Sequence, residues 1–236
     1  MAEVGSEPGR LARAYRHLYA WAAERLYHEL AWAYDAVAWC VSLGHWDGWR
    51  SQVLDHIASD ARVLEVGFGT GALLVKANAR GLDAWGADPS SAMQRVARRR
   101  LRRHRLGVRC VRAPAQALPF ADGTFDAILA TFPTRYILDP AALCEMGRLV
   151  RVGREGVHVG RIVITGVGFR VGAMAGRGGL QRLLSLIFGG GDVDIVTRYA
   201  DYAAAHGFAV TVVDEDGEGV RVPVVILEWS SSEATT

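Results

Sequence analysis

The chain has 236 residues, half of them hydrophobic, and a formal net charge of +2. That is apolar material enough for one sizeable core with a cap, and the near-neutral charge gives no global attraction to nucleic acid. Three cysteines, Cys40, Cys110 and Cys144, lie far apart without metal-ligand spacing, so a reducing, cytoplasmic setting and no metal site are expected.

Residues 1–9 are expected to be a disordered lead, followed over 10–58 by a helical cap. Charges run throughout its opening, which therefore lacks the apolar run of a signal peptide. No window of about 20 uncharged apolar residues predicts a membrane-spanning helix. Five of the seven tryptophans fall in the first fifty residues. Such rings are expected to glue the cap to the core, with a place in the lining of a substrate cavity as the sharper alternative.

Strand and helix alternate from Ala61 onward. "RVLEV" reads as a strand buried on both faces and "TGALLVKANAR" as a helix. "LDAWGAD" is a second strand ending on Asp88. "SSAMQRVARRRLRRHRL" is a helix started by Ser90. "VRCV", "FDAILAT" and "GVHVGRIVIT" are further strands, with the helix "PAALCEMGRLV" opened by Pro140 before the last of them. This repetition over 59–165 predicts an α/β fold with a mostly parallel sheet. Residues 166–194 are glycine-rich and apolar, with one short helix expected over Leu180–Phe188. They read as a lid on glycine joints. Residues 195–230 supply a helix and then "FAVTVVDEDGEGVRVPVVILEW", an antiparallel hairpin around an acidic turn.

The arginine-rich segment from Arg95 to Arg112 is expected to spread its charges around much of its helix. A solvated face is the first reading. Peripheral contact with a membrane surface is the second, and nucleic acid is not expected.

"RVLEVGFGTGALL" is a strand, a glycine turn and a helix. Glycine lets a ligand approach the backbone, and the helix start offers free N–H groups. Gly67, Gly69 and Gly71 give G-x-G-x-G, with Ala72 next, so the glycines alone do not exclude a dinucleotide. Asp88, about 20 residues beyond Gly67, suits ribose hydroxyls in either case. Its alternative is to cap the following helix. No Gly-Lys-Ser/Thr follows, which removes the lysine-dependent phosphate loop. Glu65 sits in a strand that burial would normally fill with Val or Ile, and a carboxylate there needs a reason.

Glu65 with the three glycines, Asp88, and the "LPF…FD" segment of "AQALPFADGTFDAILATF" together resemble the class I S-adenosylmethionine-dependent methyltransferases of the small-molecule group. The likeness covers about Arg62–Ile164, and "YDAVAWCVSLGHWDGWR" loosely resembles the start of quinone-biosynthesis methyltransferases. It implies a Rossmann-like, seven-stranded sheet with a reversed C-terminal hairpin and an N-terminal helical cap. It also implies S-adenosyl-L-methionine as cofactor. Glu65, Gly67, Phe68, Gly69 and Gly71 would lie under its methionine part. Asp88 would hold the ribose, with Pro89 shaping the next turn. Ala115 and Gln116 would flank the adenine, and Thr131 and Phe132 would border the sulfonium. Pro114 stands where that family often carries an aspartate for the adenine amino group, so adenine recognition falls to backbone groups or Gln116.

A general base is needed only for a neutral hydroxyl or an acidic carbon. The candidates are Tyr136, His28, His45 and Asp35. Tyr27, Tyr34, Tyr136 and Leu183 are expected to enclose a small hydrophobic, quinone-like, aromatic or lipid-like methyl acceptor. The alternative is a non-catalytic adenosine-cofactor- or lipid-binding protein of the same fold. An NAD-dependent oxidoreductase is disfavoured by Glu65 and the terminal hairpin.

Overall fold

The computed structural model describes residues 31–151, 160–171, 195–214 and 220–229. Strand β1 (Arg62–Val66) buries four of its five residues, as expected of a strand covered on both faces. Leu64 and Val66 join the larger core cluster, which holds helices α5 (Pro140–Leu149) and α6 (Ile195–Ala205) against the sheet. Val63 joins the other face, with α3 (Ala72–Ala79), α4 (Ser91–Arg103) and the 3-10 turn Gln52–His56. Alternation along the strand turns Glu65 to that second face.

The remaining strands are β2 (Asp83–Ala87), β3 (Cys110–Val111), β4 (Ala127–Thr131), β5 (Arg161–Thr165), β6 (Arg170–Val171), β7 (Phe208–Val213), β8 (Val220–Arg221) and β9 (Val224–Trp229). Seven of them form one sheet in the order β3-β2-β1-β4-β5-β9-β7. The first five run parallel, and β9 and β7 are antiparallel, as the C-terminal pattern predicted. The strand order reverses between β1 and β4, and that switch point is where open α/β sheets hold ligands, at the strands' carboxyl ends.

One detail differs from expectation. The hairpin's middle does not join its partner strands: Val220 and Arg221 pair with Val171 and Arg170 in a separate two-stranded ribbon. In the cap, helix α1 (Tyr34–Ser42) ends where Leu43 and Gly44 both take positive φ, at 52° and 87°, and α2 (Trp46–Ser51) follows. The predicted cap residues before Ala31, and the lid residues after Val171, lie outside the described residues.

The "LPF…FD" segment serves the core rather than the carboxyl edge. Phe120 packs edge-on against Phe125 at 5.0 Å, and Phe125 is fully buried. Asp126 accepts from the Arg62 backbone N–H at 2.8 Å, at the sheet's opposite edge. Arg148 locks the loop through Glu145 and the Phe120 carbonyl.

Candidate functional site

The three glycines after β1 all adopt left-handed φ, at 75°, 51° and 73°, where a side chain is strained. Their roles differ. A Cβ on Gly71 would lie 2.8 Å from the Cβ of Ala97, so this glycine lets α3 and α4 approach. A Cβ on Gly67 would meet the Tyr136 hydroxyl at 3.2 Å. A Cβ on Gly69 would meet nothing within 4 Å. Gly69 is therefore the glycine whose backbone borders open space.

Asp88, fully buried at the end of β2, anchors the loop. Its Oδ2 accepts from the Gly69 N–H at 2.9 Å and its Oδ1 from the Ser90 N–H at 2.8 Å. Ser90, not Asp88, caps α4, its Oγ accepting from the Met93 N–H. The helix-cap alternative for Asp88 thus fails.

Glu65 is 1% exposed. Its Oε1 accepts a long bond of 3.4 Å from the Thr131 hydroxyl, and its Oε2 has no partner among the described residues. Burial pushes its pKa up to about 8, against the opposing pull of the Arg50 charge and the Thr131 hydroxyl. Arg50 was not foreseen. It is buried in α2 and donates to Asp47 at 2.6 Å. Thr165 ends β5 beside Thr131, fully buried, with its hydroxyl unpartnered among the described residues.

An aromatic stack stands over this carboxyl edge. Phe132, directly after β4, stacks on Trp46 with centroids 3.7 Å apart and on Phe169 at 6.1 Å. Trp49 meets Phe169 edge-on at 5.8 Å. Phe132 has φ of 48°, a strained value for a large side chain. Gly166 makes it possible, since a Cβ there would lie 2.4 Å from the Phe132 ring. Backbone strain of this kind collects at functional sites. Trp46 and Phe169, like Arg50, were not assigned to the site by sequence reasoning. The tryptophan density of the cap was the one available signal, and it did not say which rings would turn inward.

The cap is pinned to the glycine loop by charge. Asp35 of α1 accepts from the Thr70 hydroxyl at 2.9 Å and pairs with Arg100 of α4. Arg100 also donates to Thr70 Oγ1 at 2.8 Å. Lys76 reaches Asp47 at 2.5 Å and Ser51 at 2.8 Å.

The other candidate residues have these surroundings. Asp35, a candidate base, is held by Thr70 and Arg100. Tyr136, another candidate, donates its hydroxyl to the Val66 carbonyl at 2.8 Å. Burial, reinforced by Glu65 and Asp88, raises its pKa far above the ordinary phenol value, so it keeps its proton and acts as a donor. His45 is exposed and stacks on Trp49 at 5.7 Å. Tyr34 packs on Ala31 and Met93 beside the start of α4. Gln116 is exposed and donates to Asp139, which caps α5. Ala115 and Phe68 are buried core residues, and Pro89 is exposed with its carbonyl accepting from Arg112. Tyr27, His28 and Leu183 lie outside the described residues. Among the described residues no cluster of His, Cys, Asp or Glu could hold a metal ion.

Residues 63–153 match the family described as "Methyltransferase domain". Among curated proteins, the chain is 36% identical over 144 residues to the demethylmenaquinone methyltransferase of Thermus thermophilus, covering 59% of this chain and 63% of the relative. It is 35% identical over 165 residues to that of Clavibacter sepedonicus, covering 69% of this chain and 60% of the relative. The family match, the curated relatives and the fold neighbours support a class I S-adenosylmethionine-dependent methyltransferase. It spans less than two thirds of the length of these curated relatives. Two solved structures share the fold. One is a possible histamine N-methyltransferase from Thermotoga maritima, with TM-score 0.55, 19% identity, and 84% and 96% of the two chains covered. The other is geranyl diphosphate C-methyltransferase from Streptomyces coelicolor, with TM-score 0.54, 18% identity, and 76% and 77% covered.

The residues at this edge fit S-adenosylmethionine, the cofactor of such methyltransferases. Gly69 leaves open space above its backbone, Asp88 presents a buried carboxylate beside that space, and Glu65 carries an orphaned buried oxygen. An amino acid ammonium would supply the partner that a buried carboxylate lacks. Ribose hydroxyls are donors that a carboxylate such as Asp88 accepts.

Proposed function

We propose that the protein transfers a methyl group from S-adenosylmethionine to a small, hydrophobic, quinone-like acceptor. The observation that carries this reading is the Trp46–Phe132–Phe169 stack, set at the switch point beside buried Glu65. Flat aromatic faces suit both a flat ring and a cationic sulfur. The curated relatives are named demethylmenaquinone methyltransferases, which supports a quinone-like acceptor.

When bound, S-adenosylmethionine supplies a methyl group already activated on a sulfonium, so positioning carries much of the rate. Glu65 would hold the ammonium, and Asp88 would hold the ribose while fixing Gly69. Ala115 and Gln116 would flank the adenine. Tyr136 keeps the end of β1 in place through the Val66 carbonyl. Thr131 and Phe132 would face the methyl group. Asp35 and Tyr136 are committed to other bonds, and a quinol-type acceptor, itself ionisable, asks least of a protein base.

The test is a labelled-methyl transfer screen over demethylated quinols, phenols, phospholipids and amines. The expected result is label in the quinol, with Trp46→Ala raising the acceptor KM while leaving cofactor affinity within about twofold. Transfer to amines or phospholipids instead would overturn the acceptor. Intact cofactor binding with no transfer to any class would favour the non-catalytic alternative.

A further inference from the structure

Helix α1 is built inside out. Its polar side chains turn inward: Asp35 to Thr70 and Arg100, and Ser42, 1% exposed, to the Trp46 backbone N–H at 3.0 Å. Its outer surface is apolar. Trp32, just before it, is 77% exposed, Trp39 62% and Leu43 55%. Trp39 lies within the helix, and Trp32 and Leu43 flank its two ends. Water-facing tryptophans in such a row mark a surface made for something other than water.

Beside this row runs the arginine face of α4. Trp32 shares a shallow groove of about 150 Å³ with Arg95, Val96 and Arg99. At about 100° per residue, Arg95, Arg98, Arg99, Arg102 and Arg103 fall within an arc of about 140°, and all five are exposed. Arg100 widens the spread of the helix's arginines to about 200°. Arg100 is the exception, turned inward to Thr70. Helix α4 carries no acidic residue, and none of these five arginines is in an ion pair among the described residues.

We propose that this face docks on an anionic lipid bilayer, with Trp32, Trp39 and Leu43 seated at the interface and the α4 arginines on the headgroups. Tryptophan rings suit the interfacial zone. Arginines beside an apolar row add attraction to anionic lipid. A second copy meeting this face about a two-fold axis would set the arginine arc against itself, which like charge opposes. The surface stands independently of the methyl-transfer reading. Both bear on one another only because α1 leads directly into Trp46 of the aromatic stack.

The experiment is co-sedimentation of the full chain with phosphatidylglycerol/phosphatidylcholine vesicles and with phosphatidylcholine alone, together with tryptophan quenching by brominated acyl chains. Binding to the anionic vesicles, weakening steeply as salt is raised, is the expected result. Trp32→Ser with Trp39→Ser should weaken it about tenfold and remove most of the quenching. Arg95→Gln with Arg99→Gln should weaken it about 25-fold, at about fivefold per arginine. Both double variants alter exposed residues, and an unchanged thermal midpoint verifies their folding. Absence of binding to anionic vesicles, or binding untouched by the tryptophan pair, overturns the proposal. So does a dimer in light scattering that the tryptophan pair abolishes, which would make a second copy the occupant. Tryptophans 32 and 39 shielded from aqueous iodide in the free protein would make the chain's own segments the occupant, again against the proposal.

Discussion

At the carboxyl edge of the sheet, carboxylates and hydroxyls are buried and aromatic rings close over them. On α1 the order is reversed, with Asp35 and Ser42 turned inward and Trp32 and Trp39 in solvent. The first region gives up solvation to hold a few groups in fixed places, which suits a site that must position a reactive molecule. The second buries little of its own apolar surface and is held on by charge. Pinning through Asp35, Arg100 and Thr70 fastens the cap to the same glycine loop that borders the open space. The contrast implies that substitutions at the edge act strongly on stability, and those on the cap weakly.

The largest effect is expected at Gly71. Alanine there meets Ala97 at 2.8 Å and takes a left-handed φ, so it should cost about 3 kcal/mol in urea unfolding, from overpacking plus backbone strain. Gly69→Ala carries the strain alone and should cost about 1 kcal/mol, yet weaken S-adenosylmethionine binding at least about tenfold, because its methyl occupies the open space. Equal stability losses at the two glycines would remove the distinction between a packing glycine and a ligand-facing one.

Next comes Glu65, whose effect depends on pH. In the folded protein it keeps its proton up to about pH 8, whereas the unfolded chain loses it near 4.5. The folded state binds more protons in that window, so this group's contribution makes stability fall as pH rises from 4.5 to 8. Glu65→Gln should flatten that slope and raise stability at pH 8 by about 2 kcal/mol. The measurement is urea unfolding at several pH values. A variant less stable than the parent at pH 8 would mean that the carboxylate is already satisfied in the free protein.

Smaller again is the clasp. Arg100→Met should cost about 1 kcal/mol and speed cofactor release in stopped flow, since the Asp35–Thr70 clasp loses its cation and keeps only one hydrogen bond. Trp32→Ser, at the far end of the ranking, should change stability by less than about 0.5 kcal/mol. A large loss there would show that the outer face of α1 is packed in the full protein, and the inversion would disappear.

The edge was legible because its demands are local. A glycine that must adopt left-handed φ, a strand that must be apolar and a helix that needs a capping serine each leave a mark within a few residues. So β1, the loop, Asp88, Ser90 and the mostly parallel sheet followed from the sequence, together with the antiparallel C-terminal pair. The cap was misread because hydrophobicity does not state direction. Trp32 and Trp39 carry the composition of core glue and stand in solvent, while Trp49, a few residues on, is buried. Arg50 and Arg100 were lost among ordinary arginines, since only the tertiary fold sets them beside Glu65 and Thr70. Tyr136 looked like a base for the same reason: its bond to the Val66 carbonyl spans 70 residues. The "LPF…FD" segment identified the fold correctly, although its rings serve the core and Asp126 serves the opposite edge.

The central claim is that Glu65 and the open backbone at Gly69 receive S-adenosylmethionine. Calorimetric titration of the full chain at pH 7, in two buffers of different ionisation enthalpy, tests it most directly. With Glu65 protonated in the free protein, pairing with the cofactor ammonium should release nearly one proton per binding event. Glu65→Gln should abolish the release and weaken binding. Binding with no proton exchange in the parent, or NAD binding as tightly as S-adenosylmethionine, would contradict the account.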